Sequence, residues 1–268
     1  MDAIRPVAEH RTLIAPGSAE QGGEPLCLAL ETATATASVA LLRGQAEVES
    51  RRSPPGQHHS ETLLPMIDEL LAAGGYRLDD IGLFALSIGP GAFTSLRIGL
   101  ATLKGLAFGS ERPAVAVSTL EALALAARRA LPDPPEGLIV PALDARRGEV
   151  YAAAYAGESL AAPDPDGAGK VLPESVYSPE ELGRALPQGG CLVGEGAGLV
   201  APALIDHAPQ RWRIEPRAPG VPDAVDVGLL GLAGLAAGRS CSAAQLVPRY
   251  VRRAEAEVTR TSERLEAN

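Results

Sequence analysis

Residues 83–109, LFALSIGPGAFTSLRIGLATLKGLAFG, constrain the fold more than any other stretch of the chain. They open with an apolar run of strand type at 83–88, turn at Gly89-Pro90-Gly91, and continue from Phe93 as a helix-length segment that ends near Gly109. Strand, glycine turn, helix is the order of an α/β layer, with the turn at the carboxyl edge of a sheet. Thr94 is placed to cap the helix, because its hydroxyl can accept from an orphan amide two or three residues on. At about 100° per residue, Ser95, Gly99, Thr102, Gly105 and Gly109 share one arc with Ile98 and Leu106. Each interior glycine costs about 0.8–1.0 kcal/mol relative to alanine, so a helix that accepts several gains from close backbone approach. Leu96, Leu100, Leu103 and Ala107 make a second apolar stripe. One stripe can meet the helix's own sheet. The smooth one then needs a second partner, a helix of this chain or of another subunit.

The same turn reads G-P-G-A-F-T-S-L-R. It matches neither the P-loop nor the dinucleotide fingerprint, and Pro90 removes an amide that would otherwise point at an anion.

Elsewhere the chain alternates strand and helix signals. Residues 26–31, 37–42 and 46–51 read as three strands, the last two joined by Arg43-Gly44-Gln45. Glu31 closes the first strand and Thr32 follows it, where they can bind turn amides or line a ligand loop. Residues 58–73 place Leu63, Met66, Ile67, Leu70 and Leu71 at helical spacing, with Ser60 as a possible cap, Pro65 inside and Gly74-Gly75 as the stop. Adjacent His58 and His59 lack the i, i+3 or i, i+4 spacing of helical metal ligands, so no metal is expected. A strand at 113–117 leads to Ser118-x-x-Glu121, a capping box. Pro132-Asp133-Pro134-Pro135 is the clearest boundary. Beyond it, 138–143 and 149–155 form a hairpin around Asp144-Ala145-Arg146-Arg147-Gly148. Asp144 with Arg146 or Arg147 there is either a catalytic carboxylate with its guanidinium or a solvated turn pair. Ser178-Pro179 begins a helix. Strand 191–193 runs into a glycine turn, Gly194-Glu195-Gly196, whose Glu195 would repel phosphate. Residues 226–238, a Gly/Ala/Leu helix, must pack closely.

A net charge of −9 argues against an autonomous grip on nucleic acid. The three dispersed cysteines indicate neither zinc knuckle nor disulfide framework and read as a reducing cytoplasm. No apolar run reaches membrane-span length, and the first residues lack a signal peptide's apolar core. No G-x-S-x-G, H-E-x-x-H or Walker motif occurs.

Five segments together resemble the TsaB (YeaZ) family: LALETATATASVALL, HHSETLLPMIDELL, GPGAFTSLRIGLATLKGLA, DARRGEVYAA and PRYVRR. The matching motif residues include His58, Ser60, Gly89, Gly91, Phe93, Thr94, Arg97, Asp144 and Arg146. Ser95 departs from the family's usual glycine. The resemblance implies an α/β chain of the actin-like, sugar-kinase-like and Hsp70-like ATPase fold, two lobes each with a mixed sheet flanked by helices, the second lobe degenerate. The expected division is a flexible extension at 1–25, an N-terminal lobe at 26–131, a C-terminal lobe at 137–255 and a frayed tail at 256–268.

Functionally, the resemblance implies a non-catalytic subunit that binds and activates TsaD, the transferase that threonylcarbamoylates adenosine in tRNA. TsaD's H-x-x-x-H motif is absent here. The expected partners are TsaD, through the helices at 58–73 and 94–109, the ATPase TsaE, a second copy when TsaD is absent, and tRNA only through the complex. The expected interface takes Leu63, Met66, Ile67 and Leu70 from the first helix and Ser95, Ile98, Gly99, Thr102, Gly105, Leu106 and Gly109 from the second. No cofactor is expected. The alternative is a nucleotide-binding kinase or ATPase of the same fold, with Glu31, Thr32, Gly194 and Gly196 around the ligand. A metallopeptidase-like hydrolase is a third reading.

Overall fold

The computed structural model describes residues 23–131, 137–161, 169–215 and 218–251. The expected terminal extension up to residue 22, the Pro132–Pro135 boundary and the 256–268 tail lie outside the described residues.

The chain opens with β1 (Leu26–Glu31), β2 (Ser38–Arg43) and β3 (Ala46–Arg52), an antiparallel meander. Helix α1 (His59–Gly74) follows, then β4 (Leu83–Ser87), α2 (Phe93–Leu106), β5 (Pro113–Val117) and α3 (Thr119–Ala130). The same plan then repeats. Strands β6 (Leu138–Asp144), β7 (Val150–Ala156) and β8 (Lys170–Tyr177) form a second meander. They are followed by α4 (Pro179–Ala185), β9 (Gly190–Val193), α5 (Ala197–His207), β10 (Trp212–Ile214) and α6 (Ala224–Ala236). A two-residue strand, β11 (Cys241–Ser242), comes last.

The first sheet has the order β11-β5-β4-β1-β2-β3 and the second β10-β9-β6-β7-β8. In each, the first strand of the meander pairs in parallel with the strand after the next helix. Apart from β11, the two sheets have one topology, a duplication within the chain.

Period-two alternation explains the layering of the first sheet. Leu26, Leu28 and Leu30 face α1 and α2, packing with Leu63, Leu70 and Leu103. Cys27, Ala29, Ala40 and Ala85 face the other way, against α6. The small side chains there match bare positions on the helix. A Cβ on Gly231 would lie 2.5 Å from Ala85 Cβ, and one on Gly234 would lie 2.7 Å from Val115. The close packing expected of 226–238 is therefore real, and its partner is the first sheet.

That contact corrects the expected lobe division. Residues 137–255 do not make one C-terminal lobe: α6 lies on β1, β2, β4 and β5, and β11 pairs antiparallel with β5. The exchange is reciprocal. Helix α3 leaves the first lobe, and Leu120, Leu123, Ala124 and Ala127 pack with Ile139, Leu143 and Val193 of the second.

Helix ends follow their local chemistry. Gly75 closes α1 in the left-handed conformation, φ 74°. Ser118 Oγ accepts from the Glu121 amide, and Ser178 with Glu181 forms a complete capping box. Two other expected caps are corrected. Helix α1 starts before Ser60, because the His58 carbonyl already accepts from the Glu61 and Thr62 amides. Thr94 lies inside the first turn of α2, whose cap position is Ala92. The Ala92 amide donates instead to the Ala33 carbonyl at 2.8 Å, so a neighbouring loop, not a side chain, sets the helix start. No described helix is long and apolar enough to cross a membrane.

Candidate functional site

Two surfaces gather most of the residues singled out in the sequence. The first is the cleft between the lobes, about 800 Å³, reached from the carboxyl ends of both sheets. It is lined by Ala33, Thr34, Gly91, Phe93 and Ser95 from the first lobe. Asp144, Arg146 and Glu195 come from the second. The loops after β1, β4 and β9 meet here, but Glu31, Thr32, Gly194 and Gly196, expected around a nucleotide, are not among the lining residues.

Most of these side chains are buried or bonded within the protein, although the buried Thr32 hydroxyl has no hydrogen-bond partner. Glu31 is fully buried at the end of β1, and its Oε1 accepts from the Ala33 amide at 2.5 Å. Burial pushes its carboxyl up to about 7, opposed by the Ser87 hydroxyl and the Ala33 amide. Thr32 is buried beneath the same turn, against α2. Asp144 Oδ1 accepts from the Arg146 amide at 2.6 Å, and the two side chains form an ion pair at 3.3 Å with Arg146 exposed. That is a solvated turn pair. Glu195 has its carboxyl raised by burial and then by the Asp144 charge, with Arg146 opposing. Gly194, φ 98°, and Gly196 are pressed against the Ala142 backbone, so both are bare for packing reasons. Gly91 is likewise 2.4 Å, at its missing Cβ, from the Ala33 carbonyl. His58 is exposed, while His59 is buried and its Nε2 donates to the Thr34 carbonyl at 2.9 Å. Among the described residues, no group of three His, Cys, Asp or Glu could hold a metal ion.

The second surface is the outer side of α1 and α2. Leu63, Met66, Ile67 and Leu70, expected at a partner interface, are at most 9% exposed and belong to the lobe's own core. The face that α1 offers carries Leu64, 54% exposed, with Pro65 and Asp68. With Leu78 and Leu106 these residues border a shallow apolar groove where the two helices meet.

The smooth stripe of α2 divides. Gly99 is buried, and a Cβ there would sit 2.2 Å from Thr32 Oγ1, so its bareness serves internal packing. Gly105 and Gly109 are exposed with nothing within 4 Å of an added Cβ. Ile98, Thr102 and Leu106 are half-buried between the two, and Ser95 turns toward the cleft.

Sequence reasoning missed the role of the segment after β11. The Arg249 amide donates to the Ile88 carbonyl at 2.7 Å, and Tyr250 stacks on Phe93 with ring centroids 4.8 Å apart. Its Arg-Tyr pair was the available signal.

YeaZ from Pseudomonas aeruginosa superposes with a TM-score of 0.67 at 32% identity, over 84% of this chain and 99% of that one. The chain belongs to the YeaZ (TsaB) family. A second P. aeruginosa structure, described as an uncharacterized protein with similarity to peptidase YEAZ, gives 0.68 at 32% identity and covers 85% of this chain. The tRNA threonylcarbamoyladenosine biosynthesis protein TsaB of Escherichia coli is 40% identical over 131 residues, 48% of this chain and 54% of that protein. Its Bacillus subtilis counterpart is 35% identical over 128 residues, again 48% of this chain and 54% of that protein. The chain thus matches about half the length of these curated relatives. Residues 54–184 match the family model for TsaD, the tRNA N6-adenosine threonylcarbamoyltransferase.

Proposed function

We propose that this chain is a non-catalytic subunit that binds TsaD and holds it in an active shape for threonylcarbamoylation of adenosine in tRNA. The observation that carries the reading is the apolar groove at Leu64, Pro65, Leu78 and Leu106, beside an unfilled Gly105. A half-exposed leucine at the mouth of a groove between two helices is suited to receive helices of a partner. The TsaD-like stretch at 54–184 includes both α1 and α2, which supports pairing between two similar lobes. Around the cleft, the carboxylates and glycines expected around a ligand are engaged in turns and packing, which supports the non-catalytic part. TsaE would join the pair, tRNA would be reached through the complex in the cytoplasm, and a second copy would cover the groove in the absence of TsaD.

Sedimentation of the protein with and without its host's TsaD tests this. A 1:1 complex that disappears in Leu64→Asp, while the variant keeps its circular dichroism, is the expected result. No complex with the unaltered chain would overturn the proposal.

A second reading, nucleotide binding, rests on the meeting of three loops in one cleft. Titration calorimetry with Mg-ATP decides it: heats that saturate would favour an ATPase, and none would remove it.

A further inference from the structure

Residues 249–251 line the cleft, and Arg249 and Tyr250 are fastened to both lobes. On the first lobe, the Arg249 amide is bonded to Ile88, and the Arg249 carbonyl lies 2.6 Å from where a Gly89 Cβ would be. The next residue, Tyr250, is held on the first turn of α2. Its ring stacks on Phe93, its hydroxyl accepts from Arg97 Nε at 2.8 Å, and the Arg97 guanidinium lies 3.8 Å over the Phe93 ring. On the second lobe, the Arg249 guanidinium reaches Glu174 Oε2 at 2.9 Å. Glu174 stands on β8, the edge strand of that sheet, with its side chain fully buried. Lys170 Nζ at 2.8 Å and the Tyr155 hydroxyl at 3.3 Å hold the other carboxylate oxygen.

We propose that this segment is a strap that sets the spacing of the two lobes and transmits it to α2. One backbone stretch of two residues grips a buried carboxylate of the second lobe through Arg249 and the helix start through Tyr250. A change in lobe spacing must either break the Arg249–Glu174 pair or pull on the first turn of α2. The other end of α2 carries Leu106, a wall of the outer groove. Helix α2 is one unbroken helix from Phe93 to Leu106, so a displacement of its first turn is carried along its length. The strap thus links the cleft to the groove. The link to TsaD affinity rests on the proposed function, whereas the clamping of the lobes does not.

The test uses Arg249→Met, which keeps the aliphatic stem and leaves Glu174 with Lys170 and Tyr155. Spin labels at Glu69→Cys and Gln188→Cys, both exposed positions, in a Cys241→Ser background report the interlobe distance by pulsed electron resonance. A single narrow distribution is expected for the parent and a broader, longer one for Arg249→Met. Glu174→Gln should do the same, the double variant should add nothing, and Arg249→Lys should restore the parent pattern. Unchanged distributions in Arg249→Met and Glu174→Gln would overturn the strap. For the coupling, TsaD binding to Arg249→Met should weaken by about fivefold or more. A widened distribution with unaltered TsaD affinity would overturn the transmission to α2. If the parent itself fails to bind TsaD, the proposed function falls and the distance measurement still decides the strap.

Discussion

Gly99 and Gly105 lie at opposite ends of one helical arc, about 120° apart around α2, and the structure predicts opposite responses to one added methyl group. In Gly99→Ala the new Cβ would meet Thr32 at 2.2 Å from Oγ1, 3.1 Å from Cγ2 and 3.2 Å from Cβ. Thr32 is fully buried, so it cannot swing into solvent. Forcing a methyl into such a contact costs about 1–3 kcal/mol, against a helix-propensity gain of about 1 kcal/mol. The net is a loss of about 1 kcal/mol. In Gly105→Ala nothing lies within 4 Å, and only the gain of about 1 kcal/mol remains. The gap between the two variants is about 2 kcal/mol, which corresponds to about 4–8 °C in Tm for a domain of this size. Urea unfolding with a common m-value measures the gap directly. Adding Thr32→Ala to Gly99→Ala removes the two nearest or mobile contacts, Oγ1 and Cγ2, and should recover about 1 kcal/mol of it relative to the two single changes. A Gly99→Ala protein as stable as Gly105→Ala would refute the seat of α2 on the first loop.

Other predictions concern the cleft and the outer groove. Glu31 titrates near 7 in the folded chain against 4.5 when unfolded, so its contribution is fully present below pH 4.5 and is lost as pH rises through 7. The slope amounts to about 3 kcal/mol, and Glu31→Gln should flatten stability between pH 5 and 8 in denaturant titrations. Gly194→Ala combines a φ of 98° with a Cβ 2.4 Å from the Ala142 carbonyl, and should lower stability by about 2 kcal/mol or more in the same assay. Leu64→Asp, on an exposed position, should change stability by no more than about 0.5 kcal/mol while abolishing the TsaD complex in sedimentation.

The strands of the first sheet were legible because they obey local rules. The apolar run at 26–31 and the Pro-led run at 113–117 coincide with β1 and β5. Ser118 and Ser178 carry complete capping signals, and both helices begin where those signals place them. Strand β8 was missed because Pro173 interrupts it. Proline is tolerated there because β8 is an edge strand with no ladder on one side. Helix α5 was missed because it starts on glycines and holds Pro202. The site was legible as a set of loops but not as an environment. Whether Gly99 faced a partner or its own chain depended on where Thr32 came to rest, and Thr32 is 67 positions away in sequence. Likewise, Leu63 and Leu64 are neighbours in one helical pattern, and only the angle at which α1 meets the sheet decides which of them solvent sees. Helix α6 was read as close-packing, but a small-residue face fits any flat surface, so its return to the first sheet was not in the pattern.

The exchange of α3 and α6 has a consequence for biosynthesis. A ribosome that has released only the first 131 residues has delivered five of the six strands of the first sheet, but not the helix that covers Cys27, Ala29, Ala85 and Val115. Meanwhile α3 has no second sheet to lie on. The nascent half-chain therefore presents one bare sheet face and one bare helix; the helix waits for the second sheet, and the sheet face waits for α6. Maturation is thus a late, concerted closure set by sequence-distant contacts. Chaperones that bind apolar surface have their longest window on this chain while its second half is still being made.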